Sequence, residues 1–273
     1  MKKSIIVAAA LLGFAALVTF AVSEKLTVTE YTVKSSKIKN KMRLLHVSDL
    51  HSSSYGDDCS ELIEKINELS PDAIMMTGDI ADNRISNENA YSFVKYIGER
   101  YQCFFVSGNH EIYTGKADEI KDEFRSFGVT VLEGEGKEIE CRGNGLTICG
   151  IDDPYSSPDK KGRMWEEQLS YCDGINKKEN FSLLLTHRPE LVQYYKETSF
   201  DLILAGHAHG GQVIIPKLIN GLYAPHQGLF PKYAGGRFEL GNGTMIVSRG
   251  LSKYVRPRIF NRPELVLINV IPE

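Results

Sequence analysis

Residues Met75–Asp82 read MMTGDIAD, and the architecture of the chain can be worked out from this stretch. An apolar run, residues 73–76, stops at Thr77-Gly78 and is followed at once by the carboxylate of Asp79. A short apolar run that is closed by glycine and flanked by helical patterns predicts a buried parallel strand. Open α/β sheets bind their ligands at the carboxyl ends of such strands. We therefore expect Asp79 to lie on the floor of a binding crevice.

Four other strand-like runs end in side chains that are able to bind a metal ion. The runs are LLHVSDLH, CFFVSGNHE, FSLLLTH and DLILAGHAH, and they end in Asp49 and His51, Asn109 and His110, His187, and His207 and His209. Carboxylate, imidazole and amide ligands together favour a first-row divalent ion such as Mn, Fe or Zn over Ca. The pattern predicts a site for two divalent ions about 3.5–4 Å apart, with Asp79 as the shared ligand.

The remaining ligands divide into two sets around Asp79. Asp49, His51 and His209 are expected to complete the coordination of one ion, and Asn109, His187 and His207 that of the other. The two carboxylates carry two negative charges against four positive charges of the metal ions, and the other ligands are neutral. The residual positive charge suits a phosphoryl group and lowers the pKa of a bridging water.

His110 and Asp82 are the candidate catalytic residues. His110 directly follows the ligand Asn109, so its side chain is expected to face the substrate instead of the metal. It would act as general acid to the leaving oxygen or would stabilise the phosphoryl transition state. Asp82 lies three residues after Asp79 and is expected to orient His110.

Helical periodicity separates the apolar runs. Helices are predicted near Cys59–Leu69, Glu88–Arg100, Lys116–Phe127, Met164–Cys172 and Pro189–Glu197. Strands and helices alternate in the first third of the chain, which predicts a parallel sheet with short loops. A second, largely antiparallel sheet is expected from Val129–Gly150 together with Arg237–Leu240, Thr244–Val247 and Leu265–Val270. Gln212–Ile215 is predicted to be a further strand.

The N-terminal residues resemble a membrane-targeting segment. Lys2 and Lys3 precede an uncharged run from Ser4 to Val22, which is long enough to span a bilayer as a helix. Residues 1–23 are therefore interpreted as a signal anchor that leaves the rest of the chain outside the cytoplasm. Cleavage of a signal peptide near Ser23 and a buried helix of a cytosolic protein are the alternatives. Residues 24–42 are assigned to a linker and edge strand, and residues 43–273 to one catalytic domain.

Charge and cysteine content argue against a nucleic-acid-binding protein and against cysteine-based metal or redox motifs. The net charge of −3 and the pI of about 6.2 give no reason to expect a nucleic-acid partner. The five cysteines lack CxxC spacing, so a zinc ribbon or a thioredoxin-type motif is not expected. Cys141 and Cys149 flank a predicted turn. A disulfide between them is the alternative to two small buried side chains.

The polar strand ends resemble a known family. Asp49-x-His51, Gly78-Asp79-x-x-Asp82, Gly108-Asn109-His110-Glu111, His187 and Gly206-His207-x-His209 occur in the order found in the calcineurin-like metallophosphoesterases. The C-terminal segments Gly210-Gly211-Gln212 and Ser248-Arg249-Gly250-Leu251 resemble the membrane-anchored or exported bacterial phosphoesterases of that superfamily. The resemblance implies an α/β fold, a four-layer α/β/β/α sandwich of two mixed sheets. It also implies phosphoester hydrolysis by metal-bound hydroxide.

Departures from the protein phosphatases of the superfamily narrow the substrate. Ser107 and Asn83 stand where those enzymes carry phosphate-binding arginines. Candidate replacements are Arg84, Arg188 and Arg249, each of which is also explained as a surface or structural residue. A phosphodiester or pyrophosphate of a lipid-linked or nucleotide-type substrate is therefore favoured over a phosphoprotein. A broad-specificity phosphomonoesterase is the alternative, and a metal-stabilised binding protein without turnover is the alternative from another class.

The long loop Pro216–Gly236 carries side chains with two interpretations. His226 is a candidate for substrate contact. Tyr223, Phe230 and Tyr233 would form an apolar wall for a lipid or a base, or would pack beneath the loop.

Overall fold

The computed structural model describes residues 13–14, 17–156, 163–177, 179–254 and 258–273. Within these ranges, twelve strands form two six-stranded sheets and two short strands form a hairpin. The strands are β1 (Thr27–Ser35), β2 (Met42–Val47), β3 (Ala73–Thr77), β4 (Cys103–Val106), β5 (Thr130–Val131), β6 (Glu135–Cys141), β7 (Asn144–Gly150), β8 (Phe181–Leu185), β9 (Leu202–Ala205), β10 (Tyr223–Ala224), β11 (Gly228–Leu229), β12 (Gly236–Leu240), β13 (Gly243–Val247) and β14 (Glu264–Pro272).

Both large sheets are mixed. The first has the strand order β1-β14-β2-β3-β4-β5, and only the β14–β2 pair is antiparallel. The second has the order β12-β13-β9-β8-β7-β6, with antiparallel pairs at its two ends. Each sheet therefore has parallel strands at its centre, and the carboxyl ends of these strands lie at one edge.

Helices cover the outer faces of the two sheets. They are α1 (Ser60–Leu69), α2 (Glu88–Gly98), α3 (Asn109–Tyr113), α4 (Ala117–Ser126), α5 (Arg163–Gly174) and α6 (Val192–Tyr195). Leu62, Phe93 and Phe124 of α1, α2 and α4 pack against the first sheet. Trp165 and Tyr195 of α5 and α6 pack against the second.

A third apolar layer lies between the sheets, and it explains the uninterrupted apolar run of β3. Ala73 and Met75 face the second sheet, whereas Ile74 and Met76 face the helices. Successive side chains of a strand point to opposite faces, so a strand covered on both sides needs apolar residues at every position. The four-layer α/β/β/α sandwich of two mixed sheets is confirmed.

Three predicted strand assignments were wrong. Leu265–Val270, within β14, lies in the first sheet between β1 and β2. Thr130 and Val131 also join the first sheet, parallel to β4. Residues 212–215 make only isolated bridges, Val213 with Ile259 and Ile215 with Ile219, instead of a strand.

The cysteines are buried thiols. Within the described residues all five are free and buried, so the alternative of a Cys141–Cys149 disulfide is wrong. The reason is the register of the β6–β7 hairpin, which places Cys141 opposite Asn144 and Cys149 opposite Gly136.

The predicted signal anchor, residues 1–23, lies mainly outside the described residues. In its described part, residues 13–14 and 17–21 are helical. Among the described residues, none of the helices reaches the length and hydrophobicity that a bilayer span requires. The Phe260 backbone N–H donates to the carbonyl oxygen of Ala21 at 2.6 Å. The end of the N-terminal helix is thus attached to the C-terminal part of the domain.

Candidate metal centre

The polar residues that follow β2, β3, β4, β8 and β9 meet at one edge of the sandwich. Asp49, His51 and His209 form one buried group, whose ligand atoms all lie within 4.8 Å of one another. A second buried group consists of Asp79, His187 and His207. These are the two sets that the sequence predicts, apart from Asn109. The Oδ1 atom of Asn109 is buried and has no hydrogen-bond partner among the described residues.

Asp79 lies between the two groups. Its Oδ1 accepts a hydrogen bond of 2.7 Å from the His110 backbone N–H. Its Oδ2 lies 3.6 Å from His51 Nε2 and 3.2 Å from His187 Nε2. This Oδ2 has no hydrogen-bond partner within the described part of the chain. An unpartnered buried carboxylate oxygen between two imidazoles is suited to a ligand that two cations share.

Hydrogen bonds fix the orientation of two histidine rings. His187 Nδ1 donates to the Thr77 carbonyl oxygen at 2.7 Å, and His51 Nδ1 donates to Asp82 Oδ2 at the same distance. The Nε2 atoms are then left facing Asp79, which is how metal-binding histidines are commonly held. Burial opposes protonation of His187, but the charge of Asp79 outweighs it and raises the pKa of His187 to about 10.

His110 and Asp82 are in contact at the rim of the centre. His110 Nδ1 lies 3.0 Å from Asp82 Oδ2, and the His110 and His51 rings meet edge to face at 4.3 Å. Burial favours the neutral form of Asp82, but its hydrogen bonds to His110 and His51 hold its pKa well below the usual range. Asp82 therefore orients His51 as well as His110, a second contact that the sequence did not reveal.

The backbone at the site adopts conformations that most residues avoid. Asp49, His51, Asp79, His207 and His209 all have positive φ, between 46° and 64°. Left-handed backbone is unfavourable for residues with a Cβ and is concentrated at functional sites. The sharp turns after the strands direct these side chains inward, toward a common point.

Glu111 braces the two loops that carry Asp79 and Asn109. This fully buried carboxylate accepts hydrogen bonds from the backbone N–H groups of Asp79, Ala81 and Gly108 at 2.8–2.9 Å. The sequence shows Glu111 only as part of a motif. Its role was missed because its partners are backbone atoms, which leave no signal in the residue pattern.

Only one of the three candidate arginines reaches the centre. The buried Arg188 lies with Nη1 2.9 Å from His207 Nε2, and Asp153 holds its Nε and Nη2 atoms. Arg249 is paired with Glu264, which makes it structural, and Arg84 is exposed. Asp153 precedes Pro154 in a turn, where a carboxylate commonly caps the backbone. It does accept from the Tyr155 backbone N–H at 2.9 Å, but it also positions Arg188.

A cavity of about 490 Å³ adjoins the centre on the side of Arg188. Its lining includes Tyr155, Trp165, Glu190, Tyr194 and His226. The His226 ring stacks on the His207 ring with centroids 5.5 Å apart, so the cavity and the second group of ligands are contiguous. Tyr223 and Phe230 are exposed, whereas Tyr233 packs on Phe238 beneath the loop.

The calcineurin-like phosphoesterase family model matches residues 42–211, which contain every candidate ligand. The chain belongs to the calcineurin-like phosphoesterase family. An uncharacterized metallophosphoesterase of Aquifex aeolicus is 28% identical over 258 residues, covering 90% of this chain and 92% of that protein.

Solved structures of other proteins share the fold. The structure of TT1561 of Thermus thermophilus has a TM-score of 0.52 and 13% identity over 78% of this chain and 92% of that one. A putative 5′-nucleotidase from Staphylococcus aureus has a TM-score of 0.51 and 12% identity over 86% of this chain. The phosphoesterase described here spans 55% of that nucleotidase.

The donor set fits the divalent ions that calcineurin-like phosphoesterases bind. Besides Asp79 Oδ2 and Asn109 Oδ1, the buried atoms His51 Nε2 and His209 Nδ1 lack hydrogen-bond partners in the described ranges. Buried polar atoms without partners are costly unless a ligand satisfies them. Two metal ions would satisfy Asp79 Oδ2, Asn109 Oδ1 and His51 Nε2, whereas His209 faces Asp49 through its other nitrogen, Nε2, at 3.6 Å.

Gly206 provides a test of how closely the ligands are held. A Cβ at this position would overlap Ser48 Oγ and lie 2.5 Å from Asp49 Oδ2, so Gly206→Ala must displace Asp49. We expect Gly206→Ala to weaken metal binding at least about tenfold, as loss of groups that orient ligands does. Gly174→Ala is the control, because nothing lies within 4 Å of its added Cβ. Calorimetric titration with Mn²⁺ measures both, and equal affinities would contradict the placement of Asp49.

Proposed function

We propose that this phosphoesterase hydrolyses a phosphodiester or a pyrophosphate with the help of two divalent ions, Mn, Fe or Zn. The observation that carries the proposal is the position of Asp79 Oδ2 between two sets of ligands, with His110 beside them. Asp49, His51, Asp79 and His209 would hold one ion, and Asp79, Asn109, His187 and His207 the other. Such ions, when bound, supply positive charge to the phosphoryl oxygens and make water acidic enough to act as a nucleophile.

His110 is suited to protonate the leaving oxygen. Its Nδ1 is engaged by Asp82, so Nε2 is the ring atom that remains to give up a proton. Its side chain is partly exposed at the rim, where a substrate has access. A scaffold without turnover has no use for a histidine positioned in this way beside the ligands.

Arg188 is the candidate phosphate-binding residue. It is held from one side by Asp153, and its Nη1 faces His207. A buried guanidinium that is fixed in place presents a charge to an anion with little loss of side-chain entropy. It therefore replaces, from a different strand end, the arginines that the protein phosphatases carry near their motifs.

The cavity beside Arg188 supports a substrate that carries an organic group on the phosphorus. Tyr155 and Tyr194 offer aromatic surface. Trp165 Nε1 and Glu190 Oε2 are buried atoms without a hydrogen-bond partner in the described chain, and they offer one donor and one acceptor. Pockets that combine apolar walls with a few polar atoms bind organic ligands. A nucleotide-type or lipid-linked group would fit this cavity.

Membrane attachment through residues 1–23 is part of this proposal. The uncharged run Ser4–Val22 after Lys2 and Lys3 supports a signal anchor with the catalytic domain outside the cytoplasm. Tethering would suit a lipid-linked substrate. Release by cleavage near Ser23 is the alternative, and the apparent mass of the protein in cell membranes distinguishes the two.

Hydrolysis of bis-p-nitrophenyl phosphate and p-nitrophenyl phosphate tests the substrate class. We expect the metal-stripped chain to be inactive, and Mn²⁺, Zn²⁺ or Fe²⁺ to restore turnover that favours the diester. Asp79→Asn should abolish it, because neither ion keeps its shared ligand. A preference for the monoester would instead support a phosphomonoesterase. Absence of turnover in a chain that binds two ions would support the binding-protein alternative.

The role of His110 is tested with two diesters that differ in leaving group. His110→Ala should lower kcat by about 10²–10⁴ for an alkyl leaving group, as expected for loss of a general acid. The loss should be much smaller for p-nitrophenolate, which leaves without a proton. Asp82→Asn should lower kcat and also weaken metal binding, because Asp82 orients His51 too.

Asp118→Asn, an exposed carboxylate on α4, is the matched control. Equal losses with both leaving groups would assign His110 to electrostatic stabilisation of the transition state. Unchanged turnover in His110→Ala would remove it from the mechanism.

A further inference from the structure

The most exposed large apolar side chains of the described residues come from two segments. They are Leu218 (81% exposed), Leu229 (68%) and Phe230 (64%) in residues 215–230, and Phe14 (65%) in the N-terminal helix. We call residues 215–230 the apolar loop. A soluble surface seldom groups side chains of this kind, and where it does they commonly mark a binding surface.

The apolar loop and the N-terminal helix are attached to the same short segment of the fold. Phe260 contacts the helix through its hydrogen bond to Ala21 and through the Phe20 ring, 6.2 Å away between centroids. Its neighbour Ile259 accepts a hydrogen bond of 2.9 Å from the Ile214 backbone N–H, directly before the apolar loop. The two apolar segments therefore begin on the two sides of the segment that contains Ile259 and Phe260.

The stretch of sequence that contains the apolar loop is rich in basic residues. Residues 202–263 contain one acid, Glu239, and eight basic residues: Lys217, Lys232, Arg237, Arg249, Lys253, Arg256, Arg258 and Arg262. Lys217 and Lys232 are exposed within and directly after the apolar loop. Arg262 lies over the Phe20 ring at 4.5 Å. Apolar tips flanked by basic side chains match the interface of an anionic bilayer.

We propose that the apolar loop is a membrane-docking surface that inserts Leu218, Leu229 and Phe230 into the interface of an anionic lipid bilayer. The described end of the N-terminal helix, at Phe20 and Ala21, lies beside Phe260, so a bilayer that holds the uncharged run before it would lie near the apolar loop. A second copy of the chain is a poorer occupant, because it would bring the same basic charges to the contact.

Docking would place the lipid surface next to the metal centre. His226, at the tip of the β10–β11 hairpin, stacks on His207, and the Leu222 backbone N–H donates to the Gly211 carbonyl oxygen at 2.9 Å. The apolar loop is thus held by a hydrogen bond to Gly211, which lies two residues after the candidate ligand His209. A substrate that is itself embedded in the bilayer would reach the cavity without leaving the lipid surface.

The test uses the full chain reconstituted into vesicles whose phosphatidylglycerol and phosphatidylcholine carry brominated acyl chains. Tryptophan is introduced by Phe230→Trp or Leu218→Trp, and the emission of the native Trp165 is subtracted. Tyr171→Trp is the control, since Tyr171 is 60% exposed on α5, away from the apolar loop in the sequence. We expect the bromine atoms to quench Phe230→Trp and Leu218→Trp several-fold more strongly than Tyr171→Trp.

Two further arms identify the occupant without any measurement of turnover, so the result is independent of the proposed function. Adding Lys217→Glu and Lys232→Glu to Phe230→Trp should reduce the quenching, as should vesicles of phosphatidylcholine alone. Quenching of both probes that does not exceed that of Tyr171→Trp would overturn the proposal. The proposal would also be overturned if Phe230→Trp in the lipid-free chain became more shielded from acrylamide as the protein concentration rose. That result would assign the apolar loop to a contact between copies.

Discussion

The carboxylate of Glu111 holds together the two loops from which the metal centre is built. Three backbone N–H groups from the loops after β3 and β4 converge on it, and all three bonds are fully buried. Hydrogen bonds from N–H groups to a carboxylate are among the stronger polar interactions of a protein interior. This brace sets the distance between Asp79 and Asn109. These hydrogen bonds also stabilise the left-handed backbone at Asp79, which would otherwise relax to a more favourable conformation.

Burying the charged residues of these turns costs electrostatic free energy. The same residues are already oriented for the reaction. Asp49 and Asp79 are buried together with five imidazole or amide side chains, so their carboxylates bring negative charge to a place that excludes water. Divalent ions compensate that charge. Arg188 contributes a further positive charge, which Asp153 both neutralises and orients. Groups that are held in advance of the reaction need no reorganisation when charge develops in the transition state.

The candidate ligands could be identified from the sequence because each lies within four residues of the end of its strand. An apolar run of four or five residues ended by Asp, Asn or His is a local pattern, and parallel strands bring such ends together. The position of β14 was not predicted, because its pairing with β1 joins Thr27 to Glu264 across almost the whole chain. Its apolar residues fit either sheet equally well, and only long-range packing decides between them.

The interactions that support the ligands were also beyond local patterns. Asp82 and His51 are 31 residues apart, and Arg188 and Asp153 are 35 residues apart. Each of these side chains has a local explanation, such as a turn cap or a surface charge, that suits the sequence equally well. Asp82 was predicted to orient His110, since both lie close to known ligand positions, but its contact with His51 depends on how β2 and β3 align.

Counting the bound metal ions tests the central claim most directly, that two ions share Asp79. The full chain and two variants are equilibrated at one free Mn²⁺ concentration, the metal content per chain is measured by mass spectrometry, and circular dichroism checks the fold. We predict two ions in the unsubstituted chain and one in Asp49→Asn, which keeps the set around His187 and His207. Asp79→Asn should retain less than one. Two ions in folded Asp79→Asn, or a single ion in the unsubstituted chain, would contradict the account.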